Sequence, residues 1–223
     1  MDTALSVRAC FRYGWQTFKK RPWFFAGVSL LIVVVSSILP SVDRHDPWFV
    51  IAGVFVVSFL LNQFIYLAGT RFTLKAYDDV EAARLEDLWY PEAYFRYLGI
   101  SIITGVLVIL GLILLIIPGI IVGAGLSLAT YLVVDKGMGP VAAAKESWRI
   151  TKGYRMKLFL LILTVFIVNF LGALAFIVGL LVSIPVSMFA FAHAYRIITN
   201  AAVPAGTTEL PTVAAETVSG PVL

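Results

Sequence analysis

Apolar runs at roughly 22–40, 48–70, 96–117, 119–135, 157–183 and 185–199 fill most of this chain, and the basic residues sit almost wholly on one side of them. The segments 8–21, 71–96 and 136–157, together with Arg196, hold sixteen of the seventeen Lys and Arg, all but Arg44. They alternate with segments that carry almost no charge. Positive charge in short loops fixes the orientation of a polytopic membrane protein, so this partition predicts a definite topology with both termini on the cytoplasmic side.

Composition agrees. Of 223 residues, 60% are hydrophobic and 13% charged, against about 45–50% and 25% in soluble domains. A span needs about 20 apolar residues, which allows about six helices and no large soluble domain. The expectation is one polytopic all-α membrane domain over 1–199, followed by a disordered cytoplasmic tail over 200–223 that is poor in charge and aromatics. The net charge of +4 does not point to nucleic acid. The basic residues cluster at helix mouths, where anionic headgroups attract each of them by roughly 1 kcal/mol. A single cysteine, Cys10, excludes an intramolecular disulfide and a cysteine metal cluster. The first run is longer than a secretory h-region and lacks an A-x-A site, so it reads as a retained span, and no lipidation motif is signalled.

The third and fourth runs meet at Pro118-Gly119, and the fifth and sixth at Ile184-Pro185, without a charge at either turn. Tight hairpins are expected there, with broken or re-entrant helices as the structural alternative because the fourth and sixth runs are short. Trp15, Trp23, Trp48, Trp89 and Trp148 all fall near run ends, as amphipathic rings at headgroup level do. Three units emerge, each a polar-apolar stretch, a long run reaching Pro40, Pro118 or Pro185, and a return helix. Ala9, Arg12, Trp15 and Lys19 align with Ala142, Lys145, Trp148 and Lys152. The chain therefore predicts three hairpins, each preceded by an interfacial amphipathic segment. In the first segment Val7, Phe11, Gly14 and Phe18 share one face beside Arg8 and Arg12; in the third, Lys145, Arg149 and Lys152 form a basic stripe. The middle one, over 82–95, carries Glu86, Asp87 and Glu92, whose acidity is expected to pair with the other two segments.

The stretch 114–159 contains Ile116-Ile117-Pro118-Gly119-Ile120, Ala129-Thr130-Tyr131-Leu132-Val133-Val134-Asp135, and Ala144-Lys145-Glu146-Ser147-Trp148-Arg149-Ile150-Thr151-Lys152-Gly153. In these motifs it resembles the bacterial multi-pass membrane superfamily related to the membrane domain of some glycerophosphodiester phosphodiesterases. The likeness extends over most of 10–199 and includes the stretch from Trp15 to Trp23. It implies about six helices in a bacterial cell inner membrane and, for most members, no assigned function. In fused relatives catalysis belongs to a separate soluble barrel, so the phosphodiesterase activity is not carried over.

Polar residues inside the runs are Asn62, Gln63, Asn169 and His193. A polar path for a solute is one reading, and hydrogen bonding between helices is the favoured one. His193 has no mid-membrane carboxylate for a proton relay. No nucleophile-base pair, paired intramembrane aspartates or phosphate loop appears, and His45 and His193 lie on opposite sides, so neither an enzyme nor a metal or cofactor site is expected. Asp43, His45 and Asp46 cluster in the first outside loop, where a weak cation site is one reading and a solvated turn the favoured one. Small residues at Gly119, Gly123 and Ser127 on the fourth helix, Ala175 and Gly179 on the fifth, and Ala190 and Ala194 on the sixth predict close packing or an oligomer face.

Two functions remain. One is a non-enzymatic membrane protein with an accessory, scaffolding or envelope-maintenance role, engaging anionic lipid or a partner through Lys145, Arg149, Lys152, Arg8 and Arg12. The other is a small transporter or channel with broken helices at Pro118 and Pro185.

Overall fold

The computed structural model describes residues 5–37, 47–81, 83–174 and 176–202. Expectations about Pro40, Asp43, Arg44, His45, Asp46, Ala175 and the tail beyond 202 lie outside them. Among the described residues the chain is largely helical, with no strand. The elements are α1 (Val7–Lys20), α2 (Pro22–Ser37), α3 (Trp48–Asp78), α4 (Tyr94–Leu114), α5 (Ile116–Leu126), α6 (Ala129–Lys136), α7 (Pro140–Ile150), α8 (Arg155–Leu174) and α9 (Phe176–Ala202). Five stretches are long and apolar enough to cross a membrane: Trp48–Asp78, Glu86–Leu114, Ile116–Lys136, Arg155–Leu174 and Gly179–Ala202; Pro22–Val35 is a shorter apolar helix.

Local chemistry sets the boundaries. Pro22 and Pro140 open α2 and α7, where a missing N–H costs nothing. Gly137 ends α6 at φ 60°, a left-handed cap that glycine adopts without penalty. Pro118 falls in the first turn of α5, so the α4–α5 turn is at Leu115, whose N–H donates to the Gly111 carbonyl at 3.0 Å. Ile116–Lys136 is broken at Ser127 and Leu128.

Four expectations are corrected. α8 ends at Leu174 and α9 begins at Phe176, so the two helices do not meet at Ile184-Pro185, and α9 runs through Pro185 without a break. Pro185 is buried beside Phe25, Val28, Ile32 and Phe189, the setting in which neighbouring helices let an apolar helix keep a proline. Gly179 accordingly belongs to α9 rather than to the fifth helix. The middle segment is not an amphipathic helix but two 3-10 turns, Leu85–Leu88 and Pro91–Ala93. Its Asp87 pairs with Lys75 of α3 and accepts from the Arg84 N–H at 2.9 Å, instead of meeting the basic stripes.

Packing divides the molecule into two zones. α1 lies along α9, α2 packs chiefly on α9, α4 on α5, α8 on α9, and α7 against α4 and α6. The fully buried side chains gather at the end where the charged loops meet: Cys10 of α1, Leu67 and Leu74 of α3, Ile100 of α4, Leu132 of α6, Ala143 of α7, Leu158 of α8 and Tyr195 of α9. A second cluster joins Phe18, Phe25, Phe72 and Phe189. Toward the opposite end the large apolar side chains face outward, among them Phe55 and Leu61 of α3, Ile109 and Leu114 of α4, Ile117 of α5 and Phe170 of α8. Each such side chain left in water forgoes roughly 1.5–3 kcal/mol, so this collar calls for lipid around it.

Candidate functional site

The break between α5 and α6 leaves last-turn carbonyls without helical partners, and these become the docking point for α7. The Gly125 carbonyl accepts from Ser147 Oγ at 2.8 Å and from Thr151 Oγ1 at 3.1 Å; the Ala124 carbonyl accepts from Ser127 Oγ at 2.8 Å. Ser147 and Thr151 are fully buried. The Trp148 ring lies directly on Gly125, where a Cβ would come within 2.6 Å of it. Trp148 also carries the Arg155 guanidinium, 3.7 Å from the ring centroid, which donates from Nη2 to the Trp148 carbonyl at 3.4 Å. The Ser147-Trp148-Thr151 part of the motif is thus a clamp on the broken helix.

With one face of α7 clamped, Lys145 and Arg149 are held on the other and Lys152 in the turn that follows, all exposed. Arg149 forks onto Glu146, Nε to Oε2 at 2.8 Å and Nη2 to Oε1 at 2.7 Å. Those hydrogen bonds hold the Glu146 carboxyl below its ordinary value and raise the guanidinium further. Lys145 borders an apolar groove of about 390 Å³ with Leu107, Val122, Leu126 and Trp148. Across α5 a second apolar groove, of about 430 Å³, has Arg155 in its lining.

Arg8 and Arg12 are exposed on α1. The other face of α1 buries Cys10, Gly14, Thr17 and Phe18, and a Cβ on Gly14 would lie 2.4 Å from the Val186 carbonyl oxygen. α1 docks on α9, and α7 chiefly on α4 and α6. Burial pushes the Cys10 thiol up to about 11, which leaves it inert.

Asn62, Asn169 and His193, among the polar residues of the apolar runs, have structural partners. Asn169 donates to Ser187 Oγ at 3.1 Å and accepts from Ser183 Oγ at 2.8 Å, tying α8 to α9. Asn62 donates to the Ser58 carbonyl of its own helix at 3.0 Å, and Gln63 is half-buried on α3. His193 stacks on Tyr13 at 4.4 Å and its Nδ1 lies 3.0 Å from the Tyr77 hydroxyl. One turn further along α9, Arg196 pairs with Asp78 at 2.6 Å and Asp135 at 3.1 Å, and Tyr195 donates to Asp135 at 2.6 Å. These contacts lock α1, α3, α6 and α9 together.

Of the small residues, Gly119 and Gly179 mark close approaches: a Cβ would lie 2.6 Å from Leu112 at Gly119 and 2.3 Å from the Gly172 oxygen at Gly179. Gly123 does not, its only neighbour being Val108 at 3.8 Å, and Ser127 sits at the α5–α6 break. Ala190 and Ala194 are fully buried.

Sequence reasoning passed over Gly125, Arg155, Tyr13, Tyr77 and Asp135. The Ser147, Trp148 and Thr151 spacing, i, i+1 and i+4 on a short helix, is a signal for the clamp once α7 is known to dock. Beside this region an open cleft of about 860 Å³ is bordered by Tyr13, Lys20, Arg21, Tyr77 and Asp78, with charges of both signs. Among the described residues no three of His, Cys, Asp and Glu come together as a metal site. The arrangement is suited to holding charged and amphipathic molecules at the edge of an apolar collar.

The chain matches no curated protein and no solved structure. Residues 93–202, a stretch that takes in α4 to α9 and so the whole clamp, match a family described as "Protein of unknown function (DUF975)".

Proposed function

We propose that this chain is a non-enzymatic integral membrane protein of a bacterial inner membrane. Both termini face the cytoplasm, and the basic end engages anionic lipid or a partner in an accessory, scaffolding or envelope-maintenance role. The observation that carries the reading is the exposed basic surface of Lys145 and Arg149 on α7 and Lys152 just after it, docked through the Gly125 clamp at the border of the apolar collar. The partition of basic residues to one end supports the orientation. The likeness of 114–159 to the membrane superfamily related to glycerophosphodiester phosphodiesterase membrane domains supports the location. No cofactor, metal or nucleic acid enters this reading. Transport ranks below it, because Asn169 is engaged between α8 and α9 and α9 continues through Pro185.

The test is a titration of the purified protein in mild detergent with fluorescent phosphatidylglycerol and phosphatidylcholine. Replacing Lys145, Arg149 and Lys152 together by Gln lowers phosphatidylglycerol affinity roughly tenfold at the sites that this face provides and leaves phosphatidylcholine unchanged. Equal phosphatidylglycerol affinity in variant and wild type contradicts the reading.

A further inference from the structure

We propose that the groove between α5 and α8 seats one anionic glycerophospholipid, an acyl chain lying along α5 and the phosphodiester bound by Arg155. Ile117, Ile120, Ile121 and Ala124 fall on one face of α5 and line this groove with Phe159 of α8. They extend about 10 Å along the helix axis at about 1.5 Å per residue. Arg155 is also in the lining and is the first residue of α8. The outward-facing apolar surface of α8 begins at the next residue, Met156, which is 70% exposed, and continues to Leu174. Arg155 therefore stands where the apolar collar gives way to the charged end, the depth of a headgroup phosphate. Trp148, 40% exposed, lies beside it as an amphipathic ring of that depth does.

The guanidinium has donors to spare. Among the described residues the ion pairs are made by Lys75, Arg149 and Arg196, not by Arg155. Its only hydrogen bond there is the 3.4 Å one to the Trp148 carbonyl, and its Nε is buried without a partner. Stacking on Trp148 holds the fork in place, so little freedom is lost when two phosphate oxygens are taken up. The Lys145 groove on the other side of α5 lacks such a fork and presents a flexible ammonium instead. This site rests on the reading that the basic end meets anionic lipid, and it gives that contact a defined stoichiometry and place.

Native mass spectrometry of the full chain with phosphatidylglycerol or phosphatidylcholine tests it. One phosphatidylglycerol per chain is expected on the wild type at concentrations where phosphatidylcholine leaves it bare. Arg155→Gln lowers that occupancy about tenfold, and so does Ile120→Trp, which fills the groove while leaving Arg155 on Trp148. The Lys145, Arg149 and Lys152 triple Gln variant keeps this one adduct and loses weaker ones. Equal occupancy by phosphatidylcholine overturns the assignment of an anionic lipid. Wild-type occupancy in Arg155→Gln overturns the role of Arg155, and wild-type occupancy in Ile120→Trp overturns the acyl seat. Retention in both with loss in the triple variant removes the groove site and leaves the basic-face reading standing. Loss in both groove variants with no change of any adduct in the triple variant does the reverse.

Discussion

Arg149 belongs to the basic stripe by sequence, yet its charge is largely answered by Glu146 on the same face. The pair is exposed and contributes little to stability. Its effect is on binding. Because hydrogen bonds from Arg149 hold the Glu146 carboxyl below its ordinary value, Glu146 is ionised at neutral pH, and the pair's contribution is lost only as pH falls through that lowered value. Glu146→Gln therefore frees Arg149, and the phosphatidylglycerol titration is expected to show tighter binding than wild type by a few-fold. Unchanged or weaker binding would mean that α7 does not meet the lipid through this face. The exposure of Lys145 and Arg149 was legible in the sequence because a helix that buries Ala143, Ser147 and Ile150 must turn those positions outward. The partners of Trp148 were not, since Gly125 lies 23 residues away and only tertiary packing brings them together.

At the scale of elements, glycine does the positioning, and not every glycine equally. Gly172 and Gly179 bring α8 and α9 into backbone contact, while at Gly123 one more methyl group would meet Val108 at an ordinary van der Waals distance. Gly179→Ala is expected to cost about 1–3 kcal/mol through overpacking, whereas Gly123→Ala is neutral or stabilising by up to about 1 kcal/mol. Thermal unfolding in detergent separates them, and an equal loss of stability in both would contradict the packing described. The spacing of small residues pointed to this face but cannot say which member touches a neighbour. The α8–α9 turn was misplaced for a related reason. Leu174, Ala175 and Phe176 carry no turn chemistry, and Pro185 does. Within an apolar bundle that proline is accommodated in the helix, so the strongest punctuation mark in the sequence is not where the chain turns. The middle segment was misread because its apolar and acidic residues satisfy a helical pattern, whereas Pro91 and the Lys75–Asp87 pair favour short turns.

The whole molecule is built as a lipid-facing collar of apolar helices over a compact end where the basic residues, the clamp and the Arg196 network lie. Hydropathy and the placement of Lys and Arg made this division readable, because the energetics of lipid and of charge act on residues one at a time. Which helices pair is decided by contacts, and there α2 leans on α9 rather than forming a close hairpin with α3. If the compact end exists to meet anionic lipid, the protein should carry that lipid out of its own membrane. Extraction in polymer discs without detergent, followed by lipid and protein mass spectrometry, reads this directly. The prediction is enrichment of anionic phospholipid over the bulk membrane in wild-type discs, and a fall of that enrichment to no more than the one groove lipid when Lys145, Arg149 and Lys152 are replaced by Gln. Bulk composition in both would contradict it.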